Sequence, residues 1–274
     1  MSEAISALVV AHNSGPDLLI AVQNVLESEL VGEVIVFDNA SSDDSVNALS
    51  ATVADGRLRV LRSEQNLGFG AGMNRAAREA RQPWLLLLNP DCVLKSQTLR
   101  ALYQRACQVA QLGVLSCSLH NDAGRSDPNA RRFDPSPARM LKQALGFGSR
   151  GRGLYADALG SLQTVEACSG ALMLLPRAAF EVVRGFDEEY FLHFEDLDLC
   201  RRLRSAGYQI MVCNDLSVWH RKGGSSGNRA LVERHKRNSL VRYFNQHEAK
   251  HWPRTAVLWR KALPWLMWLR SIRK

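Results

Sequence analysis

The chain has 274 residues, 46% apolar and 23% charged, and 35 Lys and Arg against 27 Asp and Glu give a formal net charge of +8. That is enough apolar material for one large domain, alone or with a small appendage, and it excludes disordered, collagen-like and disulfide-scaffold classes. No run of about 20 uncharged apolar residues occurs, which excludes a polytopic membrane protein. The opening Met1-Ser2-Glu3-Ala4-Ile5 has neither a basic nor an apolar leader region, so no secretory signal is expected.

Residues 5–11 predict a buried strand, broken by His12-Asn13-Ser14-Gly15-Pro16. Ser14 and Asp17 have capping-box spacing, and Leu18, Val22, Val25 and Leu26 then recur at helical period. Val34-Ile35-Val36-Phe37 is a second strand, ended by Asp38-Asn39-Ala40-Ser41-Ser42, and Ser41 and Asp44 open a helix to about residue 53. A third strand covers 58–61. The Gly-rich turn Asn66 to Gly72 leads into a helix through about residue 80, and Trp84 to Leu88 forms a fourth strand, halted by Asn89-Pro90-Asp91. Continuous apolar strands alternating with amphipathic helices predict an α/β fold with a mostly parallel sheet flanked by helices. Ligands bind such sheets beyond the carboxyl ends of the strands, where Asn13, Asp38, Asn66 and Asp91 fall.

A helix near 96–111 and a strand near 113–118 follow. Residues 121–163 show little periodicity and read as a long functional or mobile loop. Order returns over 165–175, with a short helix to about 183, a helix over 195–206 carrying Leu197, Cys200 and Leu203 on one face, and a strand over 208–212. From Leu231 onward the chain reads as helical and basic, which divides it into a domain over 1–230 and an extension over 231–274. The six cysteines form no C-x-x-C pair, so zinc is not expected, and they read as reduced core thiols of a cytoplasmic protein.

Each polar group has a plain reading beside a chemical one. Asp38 is a turn carboxylate or a contact to a nucleobase or ribose. Gly68-x-Gly70-x-Gly72 is a tight turn or a phosphate cradle at a helix N-terminus, although it is not the dinucleotide G-x-G-x-x-G. Asp91 is a strand-end turn residue or a hard-cation ligand for Mg²⁺ or Mn²⁺. Glu195, Asp196 and Asp198 complement a helix dipole, or one of them, held against aromatic side chains, serves as a general base. His220 is a structural histidine or a second metal ligand beside Asp91.

Together these segments resemble glycosyltransferase family 2, the inverting enzymes of the GT-A fold, over roughly residues 5–250. Leu8 to Asn13 is similar to the opening strand that meets the nucleotide, and Val36 to Asp43 to the base-binding turn. Asn66 to Asn74 resembles the N-x-G-F-x-x-G-x-N element of the rhamnosyltransferase-like branch. Leu87-Leu88-Asn89-Pro90-Asp91 resembles the metal motif D-x-D, with Asn89 in place of its first acid, a form common in that branch. Gly185 to Phe191 and Glu195 to Leu199 resemble the acceptor and base segment, with His220 downstream.

The resemblance implies a GT-A nucleotide-binding fold and transfer of a sugar, L-rhamnose from dTDP-rhamnose foremost, to a saccharide or lipid-linked acceptor in cell-surface polysaccharide biosynthesis. It implies Asp196 as the base, Asp91 and His220 on Mg²⁺ or Mn²⁺, and Glu195 and Phe194 at the acceptor. Ala11, Asn13, Asp38, Asn66, Gly68, Asn74 and Asn89 would shape the donor pocket. A UDP-hexose donor and an inactive sugar-nucleotide-binding partner protein remain as alternatives. The sequence lacks any nucleic-acid motif. Residues 252–274 hold four of the six tryptophans and six Lys or Arg with no acid. That pattern suits either an interfacial helix on an anionic membrane, at the inner face of the cell membrane, or a helix packed on the domain.

Overall fold

The structure is a computed structural model that describes residues 5–144, 154–221 and 229–248. The strands are β1 (Ile5–Ala11), β2 (Val31–Asn39), β3 (Leu58–Ser63), β4 (Trp84–Leu88), β5 (Cys92–Val93), β6 (Leu112–His120), β7 (Leu162–Thr164), β8 (Leu172–Pro176) and β9 (Gln209–His220). The helices are α1 (Asp17–Leu26), α2 (Ser45–Thr52), α3 (Phe69–Glu79), α4 (Ser96–Ala106), α5 (Pro137–Ala144), α6 (Arg177–Val182), α7 (Glu195–Ser205) and α8 (Arg229–His247).

One nine-stranded sheet runs in the order β3-β2-β1-β4-β8-β6-β9-β5, with β7 paired to β9. β1 to β4 are parallel, β8 is antiparallel to both neighbours, and β6 and β9 are again parallel to each other. The carboxyl ends of β1, β2, β4, β6 and β9 therefore share one edge with the amino end of β8.

Alternation along the strands feeds two cores. Ala7, Val9 and Ala11 of β1 join α1, α2 and α4 on one face, while Leu8 and Val10 join α3, α6, α7 and α8 on the other. Leu85 to Leu88 are all fully buried, each worth about 1.5–3 kcal/mol. The anticipated elements form with shifted ends, and β5 and β7 are additions too short to leave a period in the sequence.

Three local expectations are corrected. Ser14 does not cap α1; its Oγ accepts the His12 N–H at 3.2 Å, and α1 starts at Asp17 without a side-chain cap. Cys107 is exposed, unlike the other five cysteines, which are buried. Segment 121–163 is not a featureless loop, for it holds a 3₁₀ turn at Pro128–Ala130, α5 and β7. Its anchors are polar, which explains the missing hydrophobic period. Arg131 Nη1 donates to Ser118 Oγ and Asn214 Oδ1, Arg139 grips Glu166, and Asp134 pairs with Arg204. Residues 252–274 lie outside the described residues.

Candidate active site

The first polar cluster is built where β1 and β2 end. Ala11 and Asp38 are register partners there. Asp38 is 4% exposed; its Oδ1 accepts the Ser41 N–H, and its Oδ2 lies 3.5 Å from Arg62 Nη1. Asn13 sits at φ +51 and its Oδ1 gathers the N–H groups of Ser42 and Asp43, so it holds the 41–43 turn in place. The Ala11 side chain points into the first core, which leaves only its backbone for a ligand.

The Gly-rich turn is fastened to this edge by Asn39, which the sequence reading passed over. Asn39 Nδ2 donates to Asn66 Oδ1 and to the Gly68 carbonyl, and its Oδ1 accepts the Leu67 N–H at 2.7 Å. Asn66 Oδ1 also accepts the Gly68 N–H. Asn39 follows Asp38 directly in the polar turn, and that adjacency was the available signal.

Asn74 is expected at the donor pocket. Its side chain lies in the interior, where Nδ2 donates to the Phe186 carbonyl and Oδ1 accepts the Phe186 N–H, both at 2.9 Å. It secures the chain at the start of the 185–191 segment.

Beyond β4, Asp91 meets His220. β5 pairs antiparallel with the end of β9, opposing Cys92 to His220. Asp91 Oδ1 stands 3.3 Å from His220 Nε2, yet it is buried without a hydrogen-bond partner. Asp127 Oδ2 lies 3.9 Å from the other ring nitrogen, Nδ1. Burial alone would lower the His220 pKa, but the carboxylates of Asp127 and Asp91 outweigh it and raise the value to about 9. Two acids around one imidazole make a place for positive charge.

Ligand atoms of Asp91, Cys92 and His220 fall within 4.8 Å of one another. Cys92 is a poor third ligand for a hard cation, because its sulfur is soft and its Sγ already donates to the Ala171 carbonyl. The orphaned Asp91 oxygen and the buried imidazole do fit a hard or borderline cation, and Asp127 is placed as the carboxylate that orients the histidine. Asp127 belongs to the aperiodic segment and carried no sequence signal.

The third cluster is built on the turn before α7. His193 and Phe194 both adopt left-handed backbone, φ +65 and +70, at a cost of order 1–3 kcal/mol each. The surroundings hold that strain. Phe191 stacks on His235 at 4.2 Å, Phe194 packs on Tyr243, and Ser239 Oγ donates to the Leu192 carbonyl. α7 then begins with two buried neighbours, Glu195 and Asp196. Glu195 is pushed up to about 8, first by burial and then by the Asp196 charge, and its Oε2 has no hydrogen-bond partner.

Asp196 is held by groups the sequence did not reveal. Its Oδ2 accepts from Arg132 Nη2 and from the Gly170 N–H, and its Oδ1 accepts the Leu197 N–H. The residue after Gly170 reaches the other cluster: the Ala171 carbonyl accepts from the Asn89 N–H at 2.9 Å and from Cys92 Sγ. One turn, Ser169-Gly170-Ala171, thus has Asp196 bonded at one residue and both neighbours of the Pro90-Asp91 pair bonded at the next.

Known proteins resemble the chain in family and fold. A profile of the family described as Glycosyltransferase like family 2 matches residues 3–240. The N-acetylglucosaminyl-diphospho-decaprenol L-rhamnosyltransferase of Mycobacterium tuberculosis is 27% identical over 278 aligned positions, 94% of this chain and 89% of that protein. Rhamnosyltransferase WbbL of Escherichia coli K12 is 30% identical over 155, 52% of this chain and 56% of its own. Among solved structures, GalNAc-T7 with UDP, GalNAc and Mn²⁺ superposes with a TM-score of 0.63 at 16% identity, over 87% of this chain and 48% of that one. The mannosyltransferase PcManGT from Pyrobaculum calidifontis, with GDP-Man and Mn²⁺, gives 0.62 at 17%, over 90% and 64%.

Proposed function

We propose, for a chain that belongs to glycosyltransferase family 2 and has its GT-A fold, an inverting transfer of L-rhamnose from dTDP-rhamnose to a saccharide on a lipid carrier, in cell-surface polysaccharide synthesis. The observation that supports this reading best is the shared Ser169-Gly170-Ala171 turn, bonded to Asp196 at Gly170 and to both neighbours of Pro90-Asp91 at Ala171. The two rhamnosyltransferase relatives support the sugar, and the lipid diphosphate in the name of one supports the acceptor class.

In the step itself the acceptor oxygen attacks the anomeric carbon, the bond to the diphosphate breaks with its electron pair leaving on the phosphate, and the hydroxyl proton passes to Asp196. A divalent cation, Mg²⁺ or Mn²⁺, would be held by Asp91 and His220, and when bound it supplies positive charge beside the departing diphosphate. Asp38, Asn13, Asn66, Gly68 and Asn89 stand at the donor edge. Phe194 and the Glu195 segment stand at the acceptor edge.

Residues 1–230 make the transferase unit, and residues 231–274 the basic extension. The Trp-rich stretch 252–274 would hold the enzyme at the anionic inner face of the cell membrane, near a lipid-borne acceptor. No helix among the described residues is long and apolar enough to cross a membrane.

The test pairs binding with turnover. Asp196→Asn should bind dTDP-rhamnose as the parent does in calorimetry, while transfer falls by about 10²–10⁴-fold. Undiminished transfer by that variant would remove Asp196 from the base role. Faster turnover of a UDP-hexose than of dTDP-rhamnose would reassign the donor.

A further inference from the structure

Arg132 is the one cation hydrogen-bonded to the Asp196 carboxylate among the described residues, and no part of the proposed reaction yet uses it. Its backbone is fixed at both ends, since its N–H donates to the Ala167 carbonyl and its own carbonyl accepts the Ala167 N–H. The guanidinium reaches inward and bridges two acceptors, Asp196 Oδ2 and the Cys168 carbonyl, through Nη2. The side chain is 14% exposed, and Nε is buried without a partner. Burying a guanidinium is costly, so a role at the site is the economical explanation.

We propose that Arg132 is a positioning residue for the base: its Nη2 and the Gly170 N–H together occupy Asp196 Oδ2, leaving Oδ1 as the oxygen that receives the acceptor proton. A carboxylate oxygen has two lone-pair sites, and Oδ2 has both filled. Oδ1 accepts one backbone N–H, from Leu197, and keeps a site. The cation also distinguishes two adjacent buried acids. Asp196 receives the hydrogen bond from Arg132, while Glu195 Oε2 receives none, and burial, then the Asp196 charge, pushes Glu195 up to about 8. Arg132 arises from the same aperiodic segment as Asp127, so one stretch of chain supports both the base and the histidine.

This inference rests on Asp196 as the base, and the experiment separates the two. The full chain is assayed with dTDP-rhamnose and a lipid-linked saccharide, and an inactive parent brings down both readings. With an active parent, Arg132→Gln should lower kcat about 100-fold while the donor KM holds, because the misplaced group touches the base and not the donor. Arg132→Lys should recover about ten-fold of that loss, since an ammonium restores the charge but not the planar nitrogen that bridges Asp196 Oδ2 and the Cys168 carbonyl. Low-millimolar guanidinium should raise the rate of Arg132→Ala, and equal urea should not. Parental kcat in the Gln variant, or equal rates for Gln and Lys, overturns the positioning role alone. If the Gln variant fails to fold, the Lys variant decides, for parental kcat there would equally overturn the need for the guanidinium bridge.

Discussion

Gly68 and Phe191 meet backbone to backbone: a Cβ added at position 68 would stand 2.5 Å from the Phe191 carbonyl oxygen and 2.9 Å from its Cα. The same carbonyl accepts the Phe69 N–H at 3.1 Å. This contact joins the Gly-rich turn to the turn that leads into α7, so neither loop can shift alone.

Gly68→Ala should therefore be severe. Its φ of +87 disfavours any side chain, and the obstruction is backbone, which cannot rotate away. We expect a loss of about 2–3 kcal/mol, read as a melting point lower by roughly 5–10 °C. Parental stability would show that the two turns separate easily.

Asn74→Ala should weaken the fold and spare donor affinity. The substitution strands the buried N–H and carbonyl of Phe186, at about 1–3 kcal/mol for each unpaired group. Denaturant melts should register that cost, and calorimetry with nucleotide should give an unchanged Kd. Lost nucleotide binding in a well-folded variant would restore Asn74 to the donor pocket.

Asp198 is 1% exposed and binds two elements, with Oδ1 2.7 Å from His247 Nε2 on α8 and Oδ2 2.7 Å from Arg202 Nε. Asp198→Ala leaves two cationic or polar partners uncompensated, a loss of about 3–5 kcal/mol. The variant should melt about 10 °C lower, and limited proteolysis should cut α8 first. A protease-resistant α8 would mean its apolar contacts suffice.

Glu195 makes stability depend on pH. Its folded pKa is about 8, above the ordinary glutamate value of about 4.3, so between these limits the folded state holds the extra proton. The stabilising contribution is complete below about pH 4.3 and is lost as pH rises through about 8. Glu195→Gln keeps a neutral side chain at every pH. It should match the parent near pH 5 and melt about 5 °C or more above it at pH 9. Identical melting curves at both values would mean Glu195 is ionised when folded.

Much of the fold was legible because its signal is local. Continuous apolar runs such as Val34 to Phe37 and Trp84 to Leu88 announce buried strands, and the residues that stop them lie at the binding edge by topology alone. Asp38, Asp91 and Asp196 could be named because each ends an apolar stretch. Arg132 and Asp127 could not, because polar anchors hold their segment and polar anchors have no period.

The order of residues was sufficient to specify a parallel α/β half, a polar edge and the acids along it, since burial and strand periodicity act over a few residues at a time. Which group each acid faces was settled by folding across long separations. Asp196 meets Arg132 and Gly170, His220 lies between Asp91 and Asp127, and Asn74 turns to Phe186. The reason is physical: a carboxylate's chemistry depends on charges and donors within a few ångströms, and chain distance says nothing of what those neighbours are.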